Sequence, residues 1–153
     1  MPTLIPPERI GEFIGLEIEP THWLEIDQQR VNNFAECTLD RQFIHVDPEA
    51  AMQTPFGGTI AHGFLTLSLL SHFIEKLDIQ IEGMHMVVNY GLEKVRFIRP
   101  VKVGSRVAVR AKICDINEKK QGQFLIRLQA TMDIEGEVRP AFVAECLFLQ
   151  LTK

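Results

Sequence analysis

An apolar segment at residues 60–77 constrains the fold of this chain more than any other part of the sequence. It reads IAHGFLTLSLLSHFIEKL, which is helical in length and apolar over more than one face. A helix of this kind needs apolar partners on several sides, so the sequence predicts a buried central helix. The predicted core positions on it are Phe64, Leu67, Leu70 and Ile74.

The sequence after this helix has the pattern of β-strands. Four long stretches have alternating or β-branched content, and charged or glycine-containing turns separate them. These predicted strands span residues 84–97, 106–116, 124–134 and 139–151, and a fifth precedes the helix at residues 21–26. One buried helix with about five antiparallel strands predicts an α+β fold in which the sheet wraps around the helix. The exposed edge of such a sheet favours self-association, so we expect a homodimer.

Shorter helices are predicted before the central one. A proline-started turn after Pro6-Pro7 ends at Gly15, and Asp27 is a candidate cap for a helix with the sequence QQRVNNFAEC. The run Asp47-Pro48-Glu49 combines a cap, a first-turn proline and an early acid, which favours a small helix.

Composition limits the classes of function. With 153 residues, 46% of them hydrophobic and 24% charged, the chain is predicted to form one domain over residues 1–153. It has no apolar run of the roughly 18 residues that a membrane span needs, and its start does not resemble a signal peptide, so we expect a cytoplasmic protein without a membrane partner. The net charge of -4 argues against nucleic acid as a partner.

The stretch before the central helix contains an acid and an imidazole five residues apart, Asp40 and His45. Such a pair can place two groups of different pKa at one water molecule, which acid–base chemistry at neutral pH requires. The same pattern is also compatible with an aspartate that caps a turn and a structural histidine.

Glycines cluster where the central helix begins. Gly57, Gly58 and Gly63 bring bare backbone to this helix start, where free N–H groups and the helix dipole can hold an anion or a polarised carbonyl oxygen. For Gly57 and Gly58 the sequence favours a tight turn over a direct role in catalysis. Gly63 is more indicative of function, because a glycine inside a helix costs about 1 kcal/mol relative to alanine.

The segment LDRQFIHVDPEAA, followed by PFGGTIAHGFLTLSLL, resembles the MaoC-like hot-dog proteins. The similarity is greatest to the (R)-specific enoyl-CoA hydratases and to the branch that resembles nodulation protein N, and the later FIRPVKVGS also resembles this family. The resemblance implies a hot-dog fold, a homodimer, and reversible syn addition of water to a trans-2-enoyl-CoA, which gives the (R)-3-hydroxyacyl-CoA. It implies no cofactor, because coenzyme A enters as part of the substrate.

Site residues follow from this resemblance position by position. Asp40 and His45 match the catalytic pair, and Gly63 matches the position whose backbone N–H binds the thioester oxygen. Ser71 matches a serine near the pair, although a small residue packed in a helix interface would look the same. The hydratase motif G-D-x-N-P-L-H is here LDRQFIH. Between the aspartate and the histidine this sequence differs from the hydratase motif and resembles the D-x-Q-x-I-H form of the nodulation-protein branch.

Further candidates lie near the pair. Gln42 offers an amide for hydrogen bonding to substrate, Phe43 and Phe56 are candidates for limiting acyl chain length, and Gly58 and His62 are predicted to line the site. Packing or capping is the alternative role for the aromatic residues and His62. No metal is expected, since His45 and His62 lack further spaced ligands.

A basic run could meet the phosphates of coenzyme A or an acyl-carrier protein, or could mark solvated strand ends. It consists of Lys94, Arg96, Arg99, Lys102 and Arg106. Two other functions remain open on the same fold: a module that binds acyl-CoA or a carrier protein without catalysis, and an acyl-CoA thioesterase.

Overall fold

A computed structural model describes residues 2–153 and shows an antiparallel sheet behind the central apolar segment. Met1, the first residue of the predicted domain, lies outside the described residues. Four long strands form most of the sheet, in the spatial order β6-β7-β8-β5. Their bounds are β5 Met84–Phe97, β6 Arg106–Lys120, β7 Gln123–Ile134 and β8 Phe142–Thr152.

Two short strands complete this six-stranded sheet, and both pair with β6. They are β2 at Glu17–Ile18 and β3 at Leu24–Glu25, the second of which lies within the strand predicted at residues 21–26. A separate pair joins β1 at Thr3–Ile5 in parallel to β4 at Ile79–Ile81. The sequence did not predict β1, β2 or β4. The α+β hot-dog arrangement, with the sheet wrapped on a central helix, is confirmed.

The central helix begins at Gly63, three residues later than predicted. It consists of α4 at Gly63–Ser68 and α5 at Leu70–Leu77, and the irregular residue between them keeps a right-handed helical conformation. The delayed start has a cause in tertiary pairing. Ile60 forms a bridge with Lys102, and the Ala61 N–H donates to the Val101 carbonyl at 2.8 Å, so the chain is still extended there.

One face of the central helix packs on the sheet. Leu70, Phe73 and Leu77 recur at helical spacing and are buried, each contributing about 1.5–3 kcal/mol by leaving water. The outer face is different from what the sequence predicts. Leu67 and Ile74 are only partly buried, and Phe64 is 71% exposed, so the prediction that Phe64 belongs to the core is wrong for the single chain. In the single chain this outer face of the helix is therefore partly open.

Helical segments precede the central helix and bracket the candidate site. They are a 3-10 helix at Pro7–Phe13, α1 at Gln28–Thr38, α2 at Phe43–Val46 and α3 at Pro48–Met52. The predicted caps are present: the Asp27 carboxylate accepts from the Arg30 N–H at 2.8 Å, and Asp47 accepts from the Ala50 N–H at 3.1 Å. The one-turn helix α2 was not predicted, and it is the element that carries His45.

No helix in the part of the chain from residue 2 to 153 is both long enough and apolar enough to cross a bilayer.

Candidate active site

His45 is the best-anchored side chain of the candidate site. It lies on α2 with 6% of its surface exposed. The Gln28 amide donates to the His45 carbonyl at 2.7 Å, and the Thr59 hydroxyl donates to the Gln28 amide oxygen at 2.6 Å. The start of α1 and the segment before the central helix are therefore tied to the turn that presents His45.

The hydrogen bond of the imidazole determines which nitrogen is free. His45 Nδ1 lies 2.7 Å from the Ile60 carbonyl oxygen, and a carbonyl can only accept, so Nδ1 carries the proton. In the neutral ring Nε2 then keeps its lone pair and can accept a proton from water. Burial lowers the pKa of His45, an effect that the bond to Ile60 and the charge of Asp40 partly offset and that a charge on His62 would increase.

This shift predicts the pH dependence of any reaction in which His45 acts as a base. The active form is the neutral imidazole, so activity is lost as pH falls through the folded-state pKa, which lies below the ordinary value of 6.5. We expect the acidic limb of kcat/KM to have its midpoint below pH 6.5 and to fall about tenfold per pH unit at still lower pH. A profile already falling between pH 8 and 7 would contradict a neutral, buried His45 base.

Asp40 lies in the loop between α1 and α2 and is exposed. Leu39, with φ of 66°, ends α1 in the left-handed region and turns the chain toward His45. Ligating atoms of Asp40, His45 and His62 all lie within 4.8 Å of one another. The structure thus brings together the two residues that the sequence predicts as a pair, at a separation that one water molecule can bridge.

His62 is the third member of this cluster and is almost fully buried, with 3% exposure. Its ring stacks on His45 with centroids 3.8 Å apart and planes tilted by 22°. Its Nε2 lies 2.9 Å from the Asp40 backbone oxygen and therefore donates to it. His62 therefore lies in the same cluster as the pair, but its ring packs against His45 and does not line the cavity in front of that residue.

The three side chains also have the composition of a metal site, which sequence spacing did not indicate. Their geometry is unfavourable for one. Each ring already uses one nitrogen on a backbone carbonyl, and the lone pairs of the other nitrogens lie in nearly parallel planes because the rings are stacked. Lone pairs so arranged do not converge on a point about 2.0–2.1 Å from both nitrogens, as zinc requires.

A cavity of about 390 Å³ opens in front of His45, a volume typical of small-molecule sites. Gly63 and Thr66 of the central helix line it, together with Phe56, Phe97 and nearby apolar residues. Gly63 is the first residue of α4, so its N–H has no acceptor within the helix and is available to a ligand. The sequence predicts a glycine inside the helix, whereas the structure has Gly63 at the helix start. A backbone donor to a thioester oxygen requires this position, because only there is the N–H free.

The remaining predicted residues are placed unevenly around this cavity. Phe56 lines it, whereas Gln42, Phe43 and Gly58 do not. Gln42 is the exposed residue before α2 and makes no side-chain cap, and Phe43 is 48% exposed.

Ser71 lies away from the pair. It is exposed on α5 and lines clefts between the helix and β5. At 3.6 residues per turn it points about 140° away from Thr66, which is the helix hydroxyl that does line the His45 cavity. The Thr66 hydroxyl donates to the Gly63 carbonyl at 2.9 Å.

Several residues that shape the site have no signal in the local sequence. Gln28 and Thr59 brace His45 from segments 17 and 14 residues away in sequence, and Phe97 closes the cavity from the end of β5. The sequence gives one indication of the role of Gln28: it is a polar residue that begins a helix with apolar periodicity.

The basic run is largely paired with acids. Lys94 contacts Glu145 at 3.1 Å, Arg99 contacts Glu137 at 3.1 Å, and Arg106 contacts Glu135 at 3.1 Å. A second cleft adjoins the His45 cavity, and the residues that line both are Phe56, Ile98, Arg99 and Pro100. The polar residues of the second cleft include Lys102 and Arg139.

An acid–histidine pair thus lies beside the N-terminus of the helix around which the hot-dog sheet wraps. The model of the MaoC like domain matches residues 10–133, and the chain belongs to the MaoC-like dehydratase family.

Two curated relatives match over most of their length. Nodulation protein N of Rhizobium leguminosarum bv. viciae is 45% identical over 139 residues, which are 90% of this chain and 84% of the relative. The 3-hydroxyacyl-thioester dehydratase Z of Mycobacterium tuberculosis H37Rv is 42% identical over 133 residues, 87% of each protein. Among solved structures, an (R)-hydratase from A. caviae superposes with a TM-score of 0.72 at 24% identity, covering 88% of this chain and 94% of that one, which shows the fold.

Proposed function

We propose that the chain is an (R)-specific enoyl-CoA hydratase that adds water reversibly and syn to a trans-2-enoyl-CoA. The observation that carries the proposal is the Asp40 carboxylate beside a buried, neutral His45 whose Nε2 is free. The family membership supports a hydro-lyase, and relatives named 3-hydroxyacyl-thioester dehydratase and 3-hydroxybutyryl-CoA dehydratase support an acyl thioester as substrate.

In the proposed reaction, Asp40 orients a water molecule and His45 Nε2 removes its proton while the oxygen attacks C3 of the enoyl group. The charge of Asp40 stabilises the imidazolium that forms. The imidazolium then returns a proton to C2 on the same face, so one water is consumed and the protein is regenerated.

Attack at C3 moves negative charge onto the thioester oxygen. In the proposal the N–H of Gly63, the first residue of the helix, donates to that oxygen, and the helix dipole acts in the same direction. A Cβ at this position would lie 3.0 Å from Cε1 of Phe97, so any larger residue here requires that ring to shift.

The cleft beside the cavity supports coenzyme A as the carrier of the acyl group. Arg99, Lys102 and Arg139 offer positive charge next to Phe56 and Pro100 at the cavity mouth. Phosphates bound there would replace Glu137 as the partner of Arg99, an exposed ion pair of small net energy.

Substrate assays separate this proposal from the two other functions open on the fold. A panel of trans-2-enoyl-CoA esters from four to twelve carbons is tested for loss of the conjugated enoyl absorbance and, in parallel, for release of free thiol. Hydration without thiol release supports a hydratase. Thiol release indicates a thioesterase, and binding without either reaction indicates a non-catalytic module.

We further propose that the chain acts as a homodimer in the cytoplasm. Within residues 2–153, β5 pairs with β8 alone, so its other edge is open along 14 residues. Large apolar side chains are exposed on it, which is unusual for a solvated edge strand. They are Met86, Val87, Val88, Tyr90 and Leu92, with Phe64 of the helix nearby in the adjoining cleft. A second copy of the chain would pair this edge and cover the outer face of the helix.

Charge placed on this edge is expected to separate the dimer. The double variant Val88→Lys with Tyr90→Lys puts like charges from both copies into an apolar interface, and we expect its dissociation constant to rise at least about tenfold. Light scattering after size exclusion gives the molar mass. Val138→Lys is the matched control, because Val138 is fully exposed in the turn between β7 and β8. Wild type that elutes as a monomer at high concentration would contradict the dimer.

A further inference from the structure

His62 has an unsatisfied polar atom in a buried position. Among the described residues, its Nδ1 is the one buried side-chain nitrogen or oxygen without a hydrogen-bond partner. An unpaired buried polar atom lowers stability, and an apolar ring of similar size would avoid the cost. The other contacts of His62 therefore need to account for a histidine at this position.

Those contacts join three parts of the candidate site. The Nε2–H donates to the Asp40 backbone oxygen at 2.9 Å, and the face of the ring stacks on His45 at 3.8 Å. Phe34 of α1 packs on His62 with centroids 4.9 Å apart. His62 is also the residue before Gly63, in the extended conformation from which α4 starts. One side chain thus contacts both members of the acid–base pair from the position next to the backbone donor.

Asp40 is otherwise weakly held. It is exposed, and among the described residues its carboxylate accepts one hydrogen bond, from the Gln42 N–H within the same loop at 3.4 Å. The bond from His62 is the strong connection between this loop and the central helix. Misplacement of a reacting group by about 1 Å can cost about a hundredfold in rate, so such a connection matters for catalysis.

We infer that His62 is a positioning residue for the proposed hydration: it holds the Asp40 backbone through Nε2–H while its ring stacks on His45. It does not touch substrate, since it does not line the cavity. This inference rests on the proposed function for its kinetic consequences, and its structural part can be tested without activity.

The stacked pair also makes His45 sensitive to the charge on His62. Protonated His62 would disfavour protonation of His45, the direction in which His62 acts on the pKa of His45. The groups that face the pair are Asp40 from the loop before α2, Arg99 across the cavity and the uncharged Phe34 from α1. Burial is the main cause of the lowered His45 pKa, and the stacked His62 ring is part of that burial, so His62→Gln should raise the pKa of His45.

Two variants separate the hydrogen bond from the stacking. His62→Phe keeps the ring and removes the donor, and His62→Gln keeps a donor near Nε2 and removes the ring. We expect His62→Phe to lower kcat at least about tenfold with little change in KM, and His62→Gln to retain kcat within about threefold. His62→Gln should also move the acidic limb of the pH profile upward, because it removes the ring that helps to bury His45. His72→Gln, on the exposed face of α5, should change neither.

A merely structural role predicts a different result. The two variants would lose kcat equally or not at all, and in either case the acidic limb of the pH profile would not move. Circular dichroism shows whether each variant folds. NMR titration of the His45 ring in wild type and His62→Gln is the readout that needs no activity, and an unchanged His45 pKa there would overturn the inference. If wild type is inactive but the His45 titration differs between wild type and His62→Gln, the proposed function is contradicted and the positioning contacts are not.

Discussion

Asp40→Asn and His45→Gln are each expected to slow hydration of a short enoyl-CoA by at least about a hundredfold, the lower end of what acid–base groups contribute. The asparagine cannot stabilise the imidazolium, and the glutamine cannot take a proton from water, although both replacements have nearly the size of the original. Initial rates with crotonyl-CoA, followed by the loss of enoyl absorbance, give the measurement.

Matched substitutions far from the pair serve as controls. Asp115→Asn changes an aspartate on β6 and His72→Gln changes a histidine on the exposed face of α5, and both should keep wild-type rates. The double variant Asp40→Asn with His45→Gln should be little slower than the worse single variant, because residues that act as a unit are not additive. Rates within a few fold of wild type in both single variants would remove the pair from the mechanism.

Gly63→Pro is expected to produce the second large loss. Proline is tolerated at the first position of a helix, and the preceding residue His62, with ψ of 138°, already has the extended conformation that proline requires. The substitution therefore removes the N–H at Gly63 without removing an intrahelical bond. Loss of one donor to a developing oxyanion typically lowers kcat by about 10²–10³-fold.

Gly63→Ala is the control for the added atoms. Its Cβ meets the Phe97 ring at the same 3.0 Å as a proline Cβ, but alanine keeps the N–H. Phe97 is 52% exposed, so its ring can move aside in both variants. The ratio of kcat between the alanine and proline variants reports the loss of the backbone donor together with the added Cγ and Cδ of proline, and a ratio near one would contradict the role of the donor.

The long strands could be predicted from the sequence because their alternation reflects local packing. The predicted bounds of β5 at residues 84–97 agree with the structure. Strand β6 continues to Lys120, since polar residues at its end still pair with β7 across the hairpin. Strand β8 starts at Phe142 and not at residue 139, after Pro140, which has no N–H to donate.

The start of the central helix could not be read from hydrophobicity. Residues 60–62 are as apolar as the helix that follows, and only their pairing with Val101 and Lys102, about forty residues later, keeps them extended. The same tertiary pairing makes Gly63 a first residue of the helix and so frees its N–H.

Only the part of the candidate site that is local in sequence could be predicted. Asp40 and His45 are near in sequence, and their spacing places them near in space. The stacking of His62 on His45 depends on how the central helix meets α2, and the bracing by Gln28 depends on α1, so neither has a local signal. Ser71, carried over from the family resemblance, points into the clefts beside β5, where a second copy of the chain is proposed to lie.

The central claim is that this site adds water to an enoyl thioester, and product analysis tests it most directly. Wild-type protein is incubated with crotonyl-CoA, and the product is resolved by chiral chromatography after release of the acyl group. We predict that the enoyl absorbance falls to an equilibrium value, that no free thiol appears, and that the product is (R)-3-hydroxybutyryl-CoA. Unchanged absorbance across the whole enoyl-CoA panel, or formation of the (S) product, would contradict the account.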